Sequence, residues 1–156
     1  MKSSRLFLGH LHETAVNRLS DHFGTQPDYY KSVKPDKRIL EISKRKCGDQ
    51  KFFFEMQPYS RELKEKLDFF VFKSFEEGYH QLMVELAELT VEAINLVIPA
   101  DDDIENIYIT GGFSNNELFI KLISDFYPMK SVYTSEIFNA TALGAALVVL
   151  GSLDPS

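Results

Sequence analysis

The stretch Ile107-Tyr108-Ile109-Thr110-Gly111-Gly112-Phe113-Ser114-Asn115-Asn116-Glu117 predicts a strand that stops at two glycines and opens directly into a helix. Ile107 and Ile109 alternate with polar or aromatic neighbours, as in a strand. Gly111 and Gly112 permit backbone conformations at positive φ and present no Cβ to a flat ligand. Such a strand, turn and helix N-terminus can form a niche for a nucleotide. The glycines could equally do no more than close a tight turn, because a bare Gly-Gly is a weak motif.

The residues after the glycines predict a helix that begins at or near Ser114. Ser114 and Glu117 have the Ser-x-x-Glu spacing of a capping box, in which each side chain accepts from a backbone N–H of the first turn. Apolar residues then recur at helical spacing and predict one buried face: Leu118, Phe119, Leu122, Ile123 and Phe126. We therefore expect this helix to lie on the sheet with its N-terminus toward the glycine turn.

A second strand and a second helix are predicted downstream. Lys130 to Thr134 follows Pro128 and has strand character, and Asn139 to Leu150 has helical spacing. Small residues fill the first half of that helix: Ala140, Ala142, Gly144, Ala145 and Ala146. Tight packing on the sheet and the lining of a ligand cleft would both explain them.

These motifs, in this order, resemble the C-terminal domain of the FGGY carbohydrate kinases. The resemblance rests on Gly-Gly-x-Ser-x-Asn from Gly111 to Asn116, then Asp125, Pro128, and Ala-Thr-Ala-Leu-Gly-Ala-Ala from residue 140 to residue 146. It is strongest over residues 104–150. Weaker similarity at Ser4–His10 and Glu77–Met83 is nearest the rhamnulokinase-like branch of that family.

The resemblance implies an α/β chain with the ribonuclease-H-like fold of the actin and hexokinase ATPase superfamily. Residues 1–156 would form a single domain, the C-terminal part of a two-domain sugar kinase, without the first strands of its own sheet. An unpaired sheet edge could then promote homo-oligomers.

The resemblance also implies a site for ATP, with Mg²⁺ carried by the nucleotide and no metal site in the protein. The predicted nucleotide-binding residues are Gly111, Gly112, Phe113, Ser114 and Asn116. The two glycines match those that contact adenosine in the family, and Asn116 matches the polar residue near the base. Asp125 matches an aspartate that members place late in the helix. Phe113, Lys121 and Asn139 stand where many members have a small residue, a glutamine and a glutamate.

Three motifs of these kinases are missing from the sequence: an N-terminal Asp-x-Gly-Thr phosphate loop, the aspartate that deprotonates the sugar hydroxyl, and a second Gly-Thr phosphate turn. The only Gly-Thr is Gly24-Thr25. It follows a helix predicted over Leu11 to Phe23, so Gly24 is predicted to cap that helix. We therefore predict no catalytic residue here, and a chain that phosphorylates no sugar without the missing N-terminal domain.

Two other functions are compatible with the same residues. One is a stand-alone, non-catalytic nucleotide-binding or interaction module. The other is a nucleotide-sensing ATPase domain of the actin type that acts on no sugar.

Composition and net charge argue against several other classes of protein. The net charge of −6 argues against a nucleic-acid partner, and one cysteine, Cys47, excludes an internal disulfide framework. The sequence shows no signal peptide and no apolar stretch that could span a membrane, which favours a cytoplasmic protein without a membrane partner. With 44% hydrophobic residues, including 13 Phe and 7 Tyr, the chain can bury an aromatic core.

The polar clusters do not predict a metal site. His10 and His12 lack a third ligand and are expected at the surface, and Asp101 to Asp103 is expected to be a solvated turn. His80 is expected to be a partnered or half-exposed residue of a helix.

The other predicted elements are a strand over Arg5 to Leu8 and a long helix that starts at the Ser74/Glu77 capping box and runs toward Pro99. Residues 38–60 are ambiguous between helix and strand, and the run Phe52-Phe53-Phe54 within them is predicted to be buried.

Overall fold

The structure is a computed structural model and describes residues 7–46, 51–56, 61–98 and 103–135. Within these ranges the chain has four α-helices and four short strands: α1 (Leu8–Phe23), α2 (Lys37–Lys46), β1 (Phe54–Met56), β2 (Arg61–Leu63), α3 (Phe75–Asn95), β3 (Asn106–Thr110), α4 (Glu117–Phe126) and β4 (Ser131–Ser135). Three short 3-10 turns connect them: Tyr29–Ser32, Phe69–Val71 and Gly111–Phe113. The chain is therefore of the mixed α/β class that the sequence predicts. No helix in these ranges combines the length and the apolar character needed to cross a membrane.

The predicted strand, turn, helix and strand after residue 106 are confirmed. β3 and β4 pair in parallel, with Ile107 opposite Val132 and Ile109 opposite Thr134. The isoleucines pack into the core together with α4. The other face of the pair carries Tyr108 and Tyr133, whose rings stack 5.3 Å apart and stay exposed.

β1 and β2 form a separate antiparallel pair, with Phe54 opposite Leu63. The two small sheets fit the α/β class. The ribonuclease-H-like arrangement of one larger sheet stays a prediction.

Helix α3 is the centre of the core. Tyr79, Leu82 and Leu86 are fully buried on it, and α1, α2 and α4 all pack around it. Gly78 lets α1 come close, because a Cβ at this position would lie 2.4 Å from Leu19 Cδ2. Leu19 is itself completely buried, so the contact leaves little room for a larger residue.

The predicted helix ends at Gly24 and Ser74 are confirmed. Gly24 adopts a left-handed conformation with φ of 64° after the last turn of α1. The Ser74 hydroxyl accepts a bond of 3.4 Å from the Glu77 backbone N–H. The Glu77 carboxylate reaches back to the Lys73 N–H at 2.9 Å, one residue before the cap. Helix α3 ends at Asn95, ahead of Pro99.

Two expectations about the first half of the chain change. The predicted strand over Arg5 to Leu8 is wrong at its described end, because Phe7 is not extended and Leu8 already begins α1. The Phe7 carbonyl accepts from the Leu11 N–H at 3.2 Å, which closes a helical turn before the predicted start at Leu11. In the described part of the ambiguous region, residues up to Lys46 belong to α2 and Phe54–Met56 is the strand β1. At the start of α2 the Asp36 carboxylate accepts from the Ile39 N–H at 3.0 Å.

The predicted buried face of α4 is confirmed for Leu118, Phe119, Leu122 and Ile123. It is wrong for Phe126, which is 39% exposed because α4 ends there and the chain turns away. The run of three phenylalanines is buried as predicted, with Phe53 and Phe54 inaccessible and Phe52 half-buried.

Several predictions fall outside the described residues. They are the helix Asn139–Leu150, the strand residues Arg5 and Leu6, the thiol of Cys47, and Asp101 with Asp102. Asp103 is described and is exposed.

Candidate functional site: the glycine turn and its groove

The glycine turn between β3 and α4 depends on Gly111. Gly111 has φ of 76°, a conformation that L side chains adopt only with strain. The Ser114 N–H and hydroxyl both donate to the Gly111 carbonyl, at 3.0 Å and 2.7 Å. Gly112 has no positive φ, and a Cβ on it would meet no atom within 4 Å. The first glycine therefore sets the turn, and the second leaves its surface open.

The cap of α4 is Asn116, so the predicted capping box at Ser114 is wrong. Asn116 has an extended backbone, and its Oδ1 accepts from the Phe119 N–H at 3.0 Å. Ser114 has a helical backbone with φ of −63° because it closes the 3-10 turn that starts at Gly111. A cap residue needs a non-helical backbone to aim its side chain at the first free N–H groups. The helix therefore begins at Glu117.

A chain of hydrogen bonds joins this cap to the core. The Asn116 Nδ2 donates to the Tyr79 hydroxyl at 2.8 Å, and that hydroxyl lies 3.2 Å from His12 Nε2. Burial lowers the pKa of His12 to about 4 and raises the pKa of Tyr79. A neutral His12 and a protonated Tyr79 follow at neutral pH, so the imidazole and the hydroxyl share one hydrogen bond between neutral groups. Three helices, α1, α3 and α4, are thereby connected at the turn.

His12 lies in an aromatic pocket and not at the surface, where it was expected. Its ring meets Tyr30, Phe113 and Tyr79 edge to face, with centroids 4.9, 5.3 and 5.8 Å away. His10 is exposed. Residues two positions apart in a helix, such as His10 and His12, are separated by about 200° around its axis. The two histidines therefore face opposite ways and cannot share a ligand.

His80 is partnered, as expected, but is buried and not half-exposed. Its Nε2 accepts from the Asp36 N–H at 3.0 Å, and its Nδ1 lies 2.7 Å from the Glu76 carbonyl. It therefore attaches the segment before α2 to α3.

A groove of about 370 Å³ lies beside the glycine turn. One wall is formed by the turn and the start of α4, with Gly112, Asn116 and Glu117. The other comes from the first 3-10 turn and the segment after it, with Tyr30, Lys31 and Lys34. A second groove of about 400 Å³ shares Tyr30 and Lys31 and extends to His12. The groove beside the turn is by itself in the range of small-molecule sites.

The electrostatics of the groove favour an anion. The N-terminus of α4 carries positive partial charge from its free N–H groups. Lys31 is exposed and forms no ion pair within the described part of the chain, whereas Lys34 meets Glu117 at 2.6 Å. That pair is exposed at both partners and therefore easily exchanged for a ligand contact.

Of the predicted nucleotide-binding residues, Gly112 and Asn116 line this groove. Gly111 and Ser114 hold the turn, and Phe113 packs on His12 and, at 4.6 Å, on Phe119.

Asp125 takes no part in the groove. Its carboxylate bonds to Lys44 at 3.1 Å and to Lys121 at 3.0 Å. It therefore connects α2 to α4.

Sequence reasoning missed Tyr30, Lys31 and Lys34. They lie in a segment whose prolines predict only a polar connection, and no periodic pattern marks them. Their position opposite the glycine turn depends on a long-range contact. Comparison of the chain with family models, with curated proteins and with solved structures gives no match.

Proposed function

We propose that this chain is the adenine-nucleotide-binding C-terminal part of an ATP-dependent carbohydrate kinase with a ribonuclease-H-like fold. The observation that carries the proposal is the groove at the glycine turn. There an open Gly112 surface and the N-terminus of α4 face two lysines. These features suit a flat ring and an anionic tail in one ligand.

In this proposal the adenosine lies against Gly111, Gly112 and Asn116, and Lys31 and Lys34 attract the phosphate oxygens. Mg²⁺ arrives with the nucleotide. Phosphoryl transfer depends mainly on positioning and charge neutralisation, which are the parts that such a groove can supply. The aspartate that activates the sugar hydroxyl would lie outside this sequence, and so would the sugar contacts.

A second candidate is a non-catalytic nucleotide-binding or interaction module. It is favoured by the role of Asn116, whose Oδ1 caps α4 and whose Nδ2 bonds to Tyr79. An amide whose orientation is fixed at both ends is not free to turn toward a base, so in this candidate Asn116 has a structural role.

The test is a titration of the ¹⁵N-labelled chain with MgADP, followed by amide NMR. We expect shifts in Gly111–Glu117 and in the Lys31–Lys34 segment. Gly112→Val should abolish them without loss of the fold, because its side chain would extend into open space at a groove-lining residue. Ser131→Val, which places the same side chain at an exposed position of β4, is the control.

Shifts confined to residues remote from the turn, or shifts unaffected by Gly112→Val, would refute the nucleotide site. If the nucleotide does bind at the turn, an activity assay must then distinguish the kinase from the non-catalytic module. The kinase proposal expects sugar phosphorylation only when a protein with an Asp-x-Gly-Thr loop and a catalytic aspartate is added. Turnover by this chain alone would contradict our prediction that it holds no catalytic base.

A further inference from the structure

A third groove lies on the other side of α3 and takes no part in the proposed nucleotide site. It measures about 440 Å³ and reaches Gln81 on α3. Gln81 is two residues beyond Tyr79, or about 200° around the helix axis. A ligand in this groove would therefore face away from the glycine turn.

One wall of this groove is apolar and firmly packed. It is formed by Phe52, Leu67, Val71 and Phe72. The rings of Phe52 and Phe72 meet edge to face at 4.7 Å, and Phe72 is buried. The Gln81 carboxamide is held in turn by the Glu85 carboxylate at 2.9 Å. A preformed apolar surface of this kind binds the hydrocarbon part of a ligand without reorganisation.

The rim is basic, although the chain as a whole carries a charge of −6. Among the described residues that line the groove, three are lysines, Lys51, Lys64 and Lys66, and one is acidic, Asp68. The Asp68 carboxylate is occupied in the 3-10 turn, where it accepts from the Phe70 N–H at 3.2 Å.

The three lysines differ in the hydrogen bonds and ion pairs that they already form. Lys51 pairs with Glu88 at 2.6 Å, and the Lys64 ammonium donates to the Lys51 carbonyl. Lys66 is exposed and forms no ion pair in the ranges that the structure describes. Lys66 is therefore the cation that a bound anion could engage without breaking another contact.

We propose that this lysine-rimmed groove binds a small organic anion that has an apolar body, such as an arylalkyl carboxylate. The apolar wall takes the ring or chain, and the ammonium of Lys66, supported by Lys64, takes the carboxylate. Neither the apolar wall nor the basic rim alone would select this class of ligand. A purely apolar ligand gains nothing from the basic rim, and a small inorganic anion gains nothing from the wall.

The experiment compares two probes with the same apolar body and opposite charge, 3-phenylpropanoate and 3-phenylpropylamine. Each is titrated into the ¹⁵N-labelled chain. We expect the carboxylate to shift the amides of Leu67, Val71 and Phe72 and the Gln81 side-chain NH₂, with a dissociation constant of about 1 mM, as for a ligand of few atoms. The amine should leave these signals in place.

Two variants and one control assign the contacts. Lys66→Glu should weaken binding about tenfold, and Val71→Asp, at a half-exposed position, should abolish it. Lys37→Glu makes the same charge change at an exposed site outside the groove and should leave binding unchanged. Equal shifts with the amine, no shift of the groove signals with the carboxylate, or equal losses in Lys66→Glu and Lys37→Glu would overturn the proposal.

Discussion

The side-chain amide of Asn116 donates a hydrogen bond of 2.8 Å to the hydroxyl of Tyr79, a residue 37 positions earlier and completely buried in α3. The same amide caps α4 through its oxygen. One side chain thus fixes the start of a helix and attaches it to the centre of the core. The glycine turn beside Asn116 is thereby attached to the core, and Asn116 also lines the groove.

Asn116→Ala should lower the free energy of unfolding by about 2 kcal/mol. Loss of a cap costs about 1 kcal/mol, and the lost bond to Tyr79 adds a similar amount. Asn116→Asp keeps the cap and loses only the amide donor, so it should cost about 1 kcal/mol. Urea denaturation measures both.

Asn115→Ala is the matched control, since Asn115 is exposed beside the cap and no hydrogen bond of its side chain is seen in the described ranges. It should change stability by less than about 0.5 kcal/mol. An equal loss in Asn115→Ala and Asn116→Ala would show that the cap and the tyrosine bond contribute little.

The stability of the chain should fall as the pH drops from about 6.5 to about 4, in part through His12. Burial holds the folded pKa of His12 at about 4, below the ordinary value of 6.5. In this window the unfolded chain binds a proton that the folded chain does not, so unfolding is favoured by up to about 1.4 kcal/mol per pH unit. Above the window both states are neutral and the contribution vanishes.

His12→Gln should reduce that slope, measured as the free energy of unfolding at a series of pH values. It should not remove the slope, because burial also lowers the pKa of His80. His10→Gln, at an exposed position of the same helix, should leave the slope unchanged. A slope that is the same with and without the His12 imidazole would contradict the prediction.

The two glycines of the turn should respond differently to alanine. Gly111→Ala should cost about 1–2 kcal/mol, because alanine is strained at a φ of 76° although no atom obstructs its Cβ. Gly112→Ala meets neither strain nor a clash and should be neutral within about 0.5 kcal/mol. Thermal unfolding of the pair tests the assignment of the turn. Equal costs would mean that φ at Gly111 does not limit the residue type.

Glu85→Gln should be strongly destabilising, by about 3 kcal/mol. The buried Glu85 carboxylate accepts from the backbone N–H groups of Phe52 at 2.7 Å and Phe53 at 2.8 Å. A glutamine would turn an NH₂ group toward one of these donors and leave it unsatisfied. Burial raises the pKa of Glu85, against the opposing effect of these bonds and of Gln81.

Denaturant unfolding gives the loss, and hydrogen exchange at the Phe52 and Phe53 amides locates it. Glu105→Gln, the same change at an exposed residue, should alter stability by less than about 0.5 kcal/mol. If the Phe52 and Phe53 amides stay protected in Glu85→Gln, the carboxylate does not hold this segment.

Some features of the helices and of the glycine turn could be predicted because their signals are local. Gly24 and Ser74 end and begin helices through bonds that span three to five residues. The alternation of Ile107 and Ile109 is likewise enough to define β3. The cap of α4 shows the limit of such signals. Ser114 and Asn116 are both good cap residues, and the 3-10 turn at Gly111 decides between them.

The sequence by itself determined the α/β class, the order of strand, turn, helix and strand around Gly111, and the apolar face of α4, since each depends on a short repeat. Only the tertiary structure decided that His12 and Glu85 are buried and that Lys31 faces Gly112. A helix shows the same periodicity whether its polar face meets water or another segment. Burial of a polar residue depends on which distant part of the chain covers it and supplies its hydrogen bonds.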